Sequence, residues 1–133
     1  MAINTEIYCP TESGSWRSQG SNAVTKVNKS IFSHSERALF EDKKAKSSLF
    51  LIVQDAFPCA DCHEYFKKET QDGKKSIIFK IVGNNGCYSA EHGLGLETTT
   101  PKFIYYHLGN SLMVDKPAAP PKFPKHPDIT SIS

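Results

Sequence analysis

Apolar residues are bunched along this chain into a few short runs set in polar surroundings. Leu49-Phe50-Leu51-Ile52-Val53 is continuous and bounded by polar residues. Its length and β-branched end predict a strand buried on both faces. Ser76 to Val82 repeats the pattern, and Lys102 to Leu108 predicts a third strand. Between the first two runs, Pro58 is placed to open a helix from Cys59 to about Thr70, with Tyr65 and Phe66 inward. Gln71-Asp72-Gly73 ends it. An earlier helix opens at Ser33, a plausible N-cap, with Glu36 three residues on in capping-box position. Ala38, Leu39 and Phe40 begin its apolar stripe, and Lys43, Lys44 and Lys46 load its last turns. Val24 to Val27 alternates on the scale of a short strand.

The remainder is irregular by pattern. Residues 1–22 are polar and rich in Ser, Gly and Thr, so they predict an irregular arm, with at most a short strand at Ile7-Tyr8, anchored by Trp16. Gly83 to Gly86 is a turn cluster, and Cys87 to Thr100 shows no helical period. Without a crossover helix there, the strands at 76–82 and 102–108 are expected to be antiparallel. The tail from Pro117 to Pro127 cannot enter a helix or central strand and is expected to run extended or disordered. The alternation of strands and helices predicts an α/β/α sandwich with a mixed sheet of about five strands. The expected organisation is an arm (1–22), a catalytic body (23–116) and a Pro-rich tail (117–133).

Length and composition narrow the class. A chain of 133 residues has room for one core and little for a second. No apolar run approaches the ~20 residues of a membrane span. The opening, Met1 to Pro10, has no basic and apolar signal regions. A net charge of +2 permits nucleic-acid binding without demanding it. The lysines cluster at 43, 44 and 46, at 67 and 68, and at 74 and 75; solvated helix faces and turns are the favoured reading, and the charge alone leans slightly toward a polymeric substrate. Of the four cysteines, Cys59 and Cys62 are spaced for metal or redox chemistry at a helix start, and Cys9 and Cys87 are expected to be packing residues.

His34, Glu36, Cys59 and Cys62 carry the chemistry. Zinc in catalytic sites takes three protein ligands and leaves the fourth position to water. His34, Cys59 and Cys62 supply such a set, with both thiols on one side of a helix's first turn. The positive end of that helix favours thiolates. Glu36 is expected to move protons rather than bind metal, because zinc lowers the pKa of water from ~15.7 to ~7. Cys-x-x-Cys alone also marks structural zinc and redox sites, and His-x-Glu alone is common. Their combination, one helix and one strand apart, is the signature of zinc nucleobase deaminases.

On these residues the chain resembles the cytidine-deaminase-like superfamily, in particular the deaminase toxins at the C-terminal ends of bacterial polymorphic toxins. The resemblance rests on His34-Ser35-Glu36, Pro58-Cys59-Ala60-Asp61-Cys62 and the order of elements, over roughly residues 24–108. The same motifs are similar to those of plant DYW editing domains, whose second cysteine-rich motif and terminal Asp-Tyr-Trp are missing here. The resemblance implies cytosine deamination to uracil, with single-stranded nucleic acid (DNA before RNA) as substrate. It implies a Zn2+ cofactor and a secreted effector acting in the cytoplasm of a target cell. It also implies a cognate immunity protein, a monomeric catalytic domain and no membrane partner. The family further implies a base contact by the Ser35 amide, with Asn28 as a candidate base or sugar contact, although a turn-forming asparagine is an equal reading.

A pocket for an extruded base needs aromatic walls, and Phe32, Phe57, Tyr88, Tyr105 and Tyr106 are the supply. Phe32 and Phe57 flank the motifs, and one of the two tyrosines at 105 and 106 is expected in the core. His63 reads as an exposed helix residue. Double-stranded DNA, RNA or free cytidine are the alternative substrates. The rival class is a non-catalytic zinc-binding interaction module, with Cys87 or His92 as the fourth ligand.

Overall fold

The two central apolar runs form the middle of the sheet. The computed structural model describes residues 3–24, 35–58, 60–83 and 102–130. The strands at Leu49–Gln54 and Ser76–Ile81 are buried at every position. Covering both faces is what makes their sequences continuously apolar rather than alternating. They pair in parallel, Leu49 opposite Ser76 through Gln54 opposite Ile81. The crossover between them contains the helix Ala60–Glu69. Gly73 follows that helix with φ of 77°, in the left-handed region, and its N–H donates to the Thr70 carbonyl at 3.2 Å. A Cβ at Gly73 would stand 2.7 Å from Leu108 Cδ2.

The N-terminal segment is not an irregular arm. Strands β1 (Ile3–Pro10) and β2 (Trp16–Val24) form an antiparallel hairpin, and β1 pairs antiparallel with the strand at 49–54, hence β3. The polar composition hides a period of two: Thr5, Ile7 and Cys9 are buried, while Glu6 and Tyr8 between them are only partly covered. The edge strand β2 is mostly polar between Trp16 and Ala23 and pairs with β1 along its length. Its register slips by one residue beside Ile7/Tyr8, a β-bulge at Gln19. Of the strand expected at Val24–Val27, Val24 ends β2, and residues 25–27 lie outside the described residues.

The strand at 76–81 is β4, and β5 (Lys102–His107) pairs with it antiparallel, as expected. A sixth strand, β6 (Asn110–Val114), returns along β5. Leu108 and Gly109 form the two-residue turn with φ of 53° and 77°. Two positive φ values are those of a type I′ turn, whose twist matches a hairpin. The mixed sheet has six strands in the order β2-β1-β3-β4-β5-β6.

Helices α1 (Ser35–Lys43) and α2 (the helix at 60–69) cover one face. Leu39 and Phe40 of α1 and Cys62 and Phe66 of α2 pack on Ile7, Phe50, Ile52, Phe79 and Tyr106. Phe40 meets Phe50 and Phe66 edge-on at centroid distances of 5.3 and 5.8 Å. The other face carries Leu49, Leu51, Val53, Ile78, Phe103 and Tyr105, with Phe123 and Ile129 of the tail packed on them. Among the described residues no helix covers that face, and the tail packs on it. Trp16 anchors the hairpin as expected, and its Nε1 donates to the Pro127 carbonyl at 3.3 Å. Lys80 Nζ donates to the carbonyls of Ile129 and Thr130 at 2.8 and 3.2 Å. Among the described residues no helix is long and apolar enough to cross a membrane.

Candidate active site

Glu36 lies in the first turn of α1 and Cys62 in the first turn of α2. Both are buried, at 5% and 0% exposure. The Cys62 thiol is within hydrogen-bonding reach of the Glu36 carboxylate. The starts of the two helices therefore meet on one face of β3, as their spacing predicted. The loop between β3 and α2 is clamped to β1. Asn4 donates from its backbone N–H and its Nδ2 to the two carboxylate oxygens of Asp55, at 2.9 and 3.0 Å. The Asp55 N–H returns a bond to the Asn4 carbonyl at 3.2 Å.

Gln54 is the member of the site that the motifs did not disclose. As the last residue of β3 it shares a face with Phe50 and Ile52, which pack under the helices. Its Nε2 donates to Glu36 Oε2 at 3.0 Å and to the Ala56 carbonyl at 2.9 Å. Its Oε1 accepts from the Thr5 hydroxyl at 2.6 Å. Two acceptors facing Nε2 fix the orientation of the amide. A glutamine ending an apolar run, in register with inward residues, is the signal that could have found it.

Burial pushes the Glu36 carboxyl above the ordinary glutamate range. Its own backbone N–H, the Gln54 amide, the Arg37 charge and the Cys62 thiol act against that rise without cancelling it. The N-terminal position in α1 also favours the anion. The result is a carboxylate held in one orientation with a heightened affinity for a proton.

The other expected site residues divide. His34, Cys59, Asn28 and Phe32 lie outside the described residues, as do Tyr88, Cys87 and His92. Ser35 is the first residue of α1, so its backbone stands beside Glu36. Phe57 stays close but is 1% exposed and packed into the core with Cys62, so it is floor rather than open wall. Tyr105 is a correction. It lies on the tail face, on the far side of the sheet from Glu36, with its ring 5.1 Å from Phe123. Alternation along β5 sends Tyr106, not Tyr105, to the helix face. Tyr106 is also buried, and its hydroxyl is 2.8 Å from His63 Nδ1. His63, expected as an exposed residue, is half-buried, and burial pulls its pKa down. Cys9 is a buried core thiol, in keeping with its expected packing role.

Among the described residues no three metal-binding side chains gather in one place, and Cys62 is the one expected ligand that belongs to them. Its place at a helix N-terminus favours the ionised sulfur that zinc binds. Comparison with protein-family models, with curated proteins and with solved structures returns no match.

Proposed function

We propose that the chain is a zinc-dependent deaminase that converts cytosine to uracil in single-stranded nucleic acid, DNA before RNA, as the toxic domain of a secreted antibacterial effector with a cognate immunity protein. The observation that carries this reading is the buried Glu36 carboxylate, oriented by Gln54 and lying against Cys62 where two helices begin. A buried acid held by a dedicated amide is a poor stability device, because desolvation disfavours its charge. It is a good proton carrier, because its affinity lies nearer neutral pH.

His34, Cys59 and Cys62 would hold the metal, which when bound makes water acidic enough to act as a nucleophile near neutral pH. Gln54 donates to Oε2 of Glu36 and fixes the orientation in which the carboxylate exchanges protons. Glu36 accepts a proton from the attacking water and delivers it to the pyrimidine ring nitrogen N3. The second proton from the same water reaches the exocyclic amine by the same carboxylate. The water oxygen bonds to C4, the C4–N bond breaks, and ammonia leaves. One water and one cytosine thus give one uracil and one ammonia. Phe57 and Phe40 keep the floor of the site apolar, which strengthens the Glu36 interactions.

The test is incubation of the purified chain with single-stranded DNA, duplex DNA, RNA and free cytidine, with uracil read in each. The proposal expects the fastest formation on single-stranded DNA. Activity on cytidine alone would remove the polynucleotide claim. Bound zinc with no activity on any substrate would move the assignment to an interaction module.

A further inference from the structure

Arg37 follows Glu36 in α1 and is 8% exposed, an unusual depth for a guanidinium. Its Cζ lies 5.7 Å from the ring centroid of Tyr65 on α2, so the group is wedged between the two helices. Its Nε and Nη2 are buried and have no hydrogen-bond partner among the described residues. These two nitrogens form one edge of the guanidinium, the parallel pair that grips an oxyanion bidentately. The cation–π contact uses the flat face of the group and leaves such an edge free.

The neighbouring carboxylates do not fill that fork. Glu36 is held by Gln54 and the Cys62 thiol. Glu41, one turn along α1, takes the Tyr65 hydroxyl and Lys44 Nζ. A buried cation with an unfilled donor edge is costly, so such an edge marks a place where a further anion is expected. The Arg37 charge is felt at Glu36, where it favours the carboxylate, so the two groups share one neighbourhood.

We infer that the Nε–Nη2 edge of Arg37 receives a phosphate group of the polynucleotide beside the base being deaminated. The inference rests on the nucleic-acid reading above and adds the residue that would distinguish a polymer from a free nucleoside. Arg37 is then a binding residue, in bidentate contact with one phosphate, and the polymer has a specific anchor in addition to the lysines.

The decisive experiment follows the Arg37 Nε–H resonance of the metal-loaded wild-type protein by NMR during titration with oligothymidylate, which binds without being deaminated. Inorganic phosphate serves as a second probe. The Nε–H signal should shift and saturate with the oligonucleotide, and Arg37→Lys should weaken oligonucleotide binding about tenfold, a lysine being unable to reproduce the fork. An unmoved Nε–H signal at saturation overturns the inference, as does a shift with inorganic phosphate but none with the oligonucleotide. With a cytosine-containing oligonucleotide, Arg37→Lys should raise KM about tenfold more than it does for free cytidine. Equal losses on both substrates would indicate a merely structural arginine. If the wild-type deaminates nothing, the proposed activity falls, and the titration still decides the fate of the phosphate site.

Discussion

Gln54→Leu removes the side chain that orients Glu36 while keeping its volume close to the original. Gln54 makes three bonds: to Glu36 Oε2, to the Ala56 carbonyl and from the Thr5 hydroxyl. All are buried, so water does not replace them. A bond to a charged group contributes about 1.5–3 kcal/mol and each neutral one about 1 kcal/mol, giving a loss of about 4 kcal/mol. The added apolar surface of leucine offsets about 1 kcal/mol. The expected net destabilisation of about 3 kcal/mol is a large share of the 5–15 kcal/mol typical of a domain. The pH dependence follows from the Glu36 bond. Gln54 favours the ionised carboxylate, so its loss raises the folded-state pKa further. The penalty is therefore full above that pKa and shrinks as pH falls through it. Burial holds this window above the ordinary glutamate value of ~4.3. Urea denaturation of the metal-free protein, followed by far-UV circular dichroism across this range, measures both quantities. A loss under about 1 kcal/mol at neutral pH, or one that grows on acidification, would refute the described network.

Glu36→Gln should raise the melting temperature of the metal-free protein at neutral pH, because a carboxyl with a raised pKa costs stability once pH exceeds it; thermal melts should show the gain vanishing below about pH 4. Cys62→Ser should lower bound zinc from about one per chain to a small fraction, read by elemental analysis of dialysed protein, and near-stoichiometric zinc would remove Cys62 from the ligand set. Phe123→Ala should cost about 2–4 kcal/mol in denaturant unfolding because it strips the tail from Tyr105, and a cost near zero would mean the tail does not cover that face in solution. Truncation after Lys116 should shift the emission of Trp16, the single tryptophan, to the red as it loses its contact with Pro127.

What the sequence disclosed follows from how each element is buried. β3, β4 and α2 were legible because strands covered on both faces must be continuously apolar and because Pro58 and Gly73 punctuate the helix between them. β1 was legible only at Ile7-Tyr8, because Thr5 and Cys9 extend its buried face with weakly apolar residues, and β2 was missed because, apart from Trp16, its mostly polar sequence carries no alternation. β6 was hidden because it is a mostly exposed edge strand whose one clear cue is Leu108-Gly109 at the turn. In the site, Glu36 and Cys62 stood out through motif spacing. Gln54 and Thr5 did not, since their contribution depends on β1 lying beside β3, a pairing that joins residues 49 positions apart. Tyr105 was misassigned because two adjacent aromatics offer both faces of a strand, and only the placement of the helices decides between them.

The central claim is that Glu36 carries protons for a metal-activated water. Glu36→Ala and the wild-type protein should be compared on cytosine-containing single-stranded DNA, with zinc measured in the same preparations. The account predicts equal zinc content and a loss of uracil formation of at least about a thousandfold in the variant. Uracil formation at the wild-type rate in zinc-loaded Glu36→Ala would contradict it.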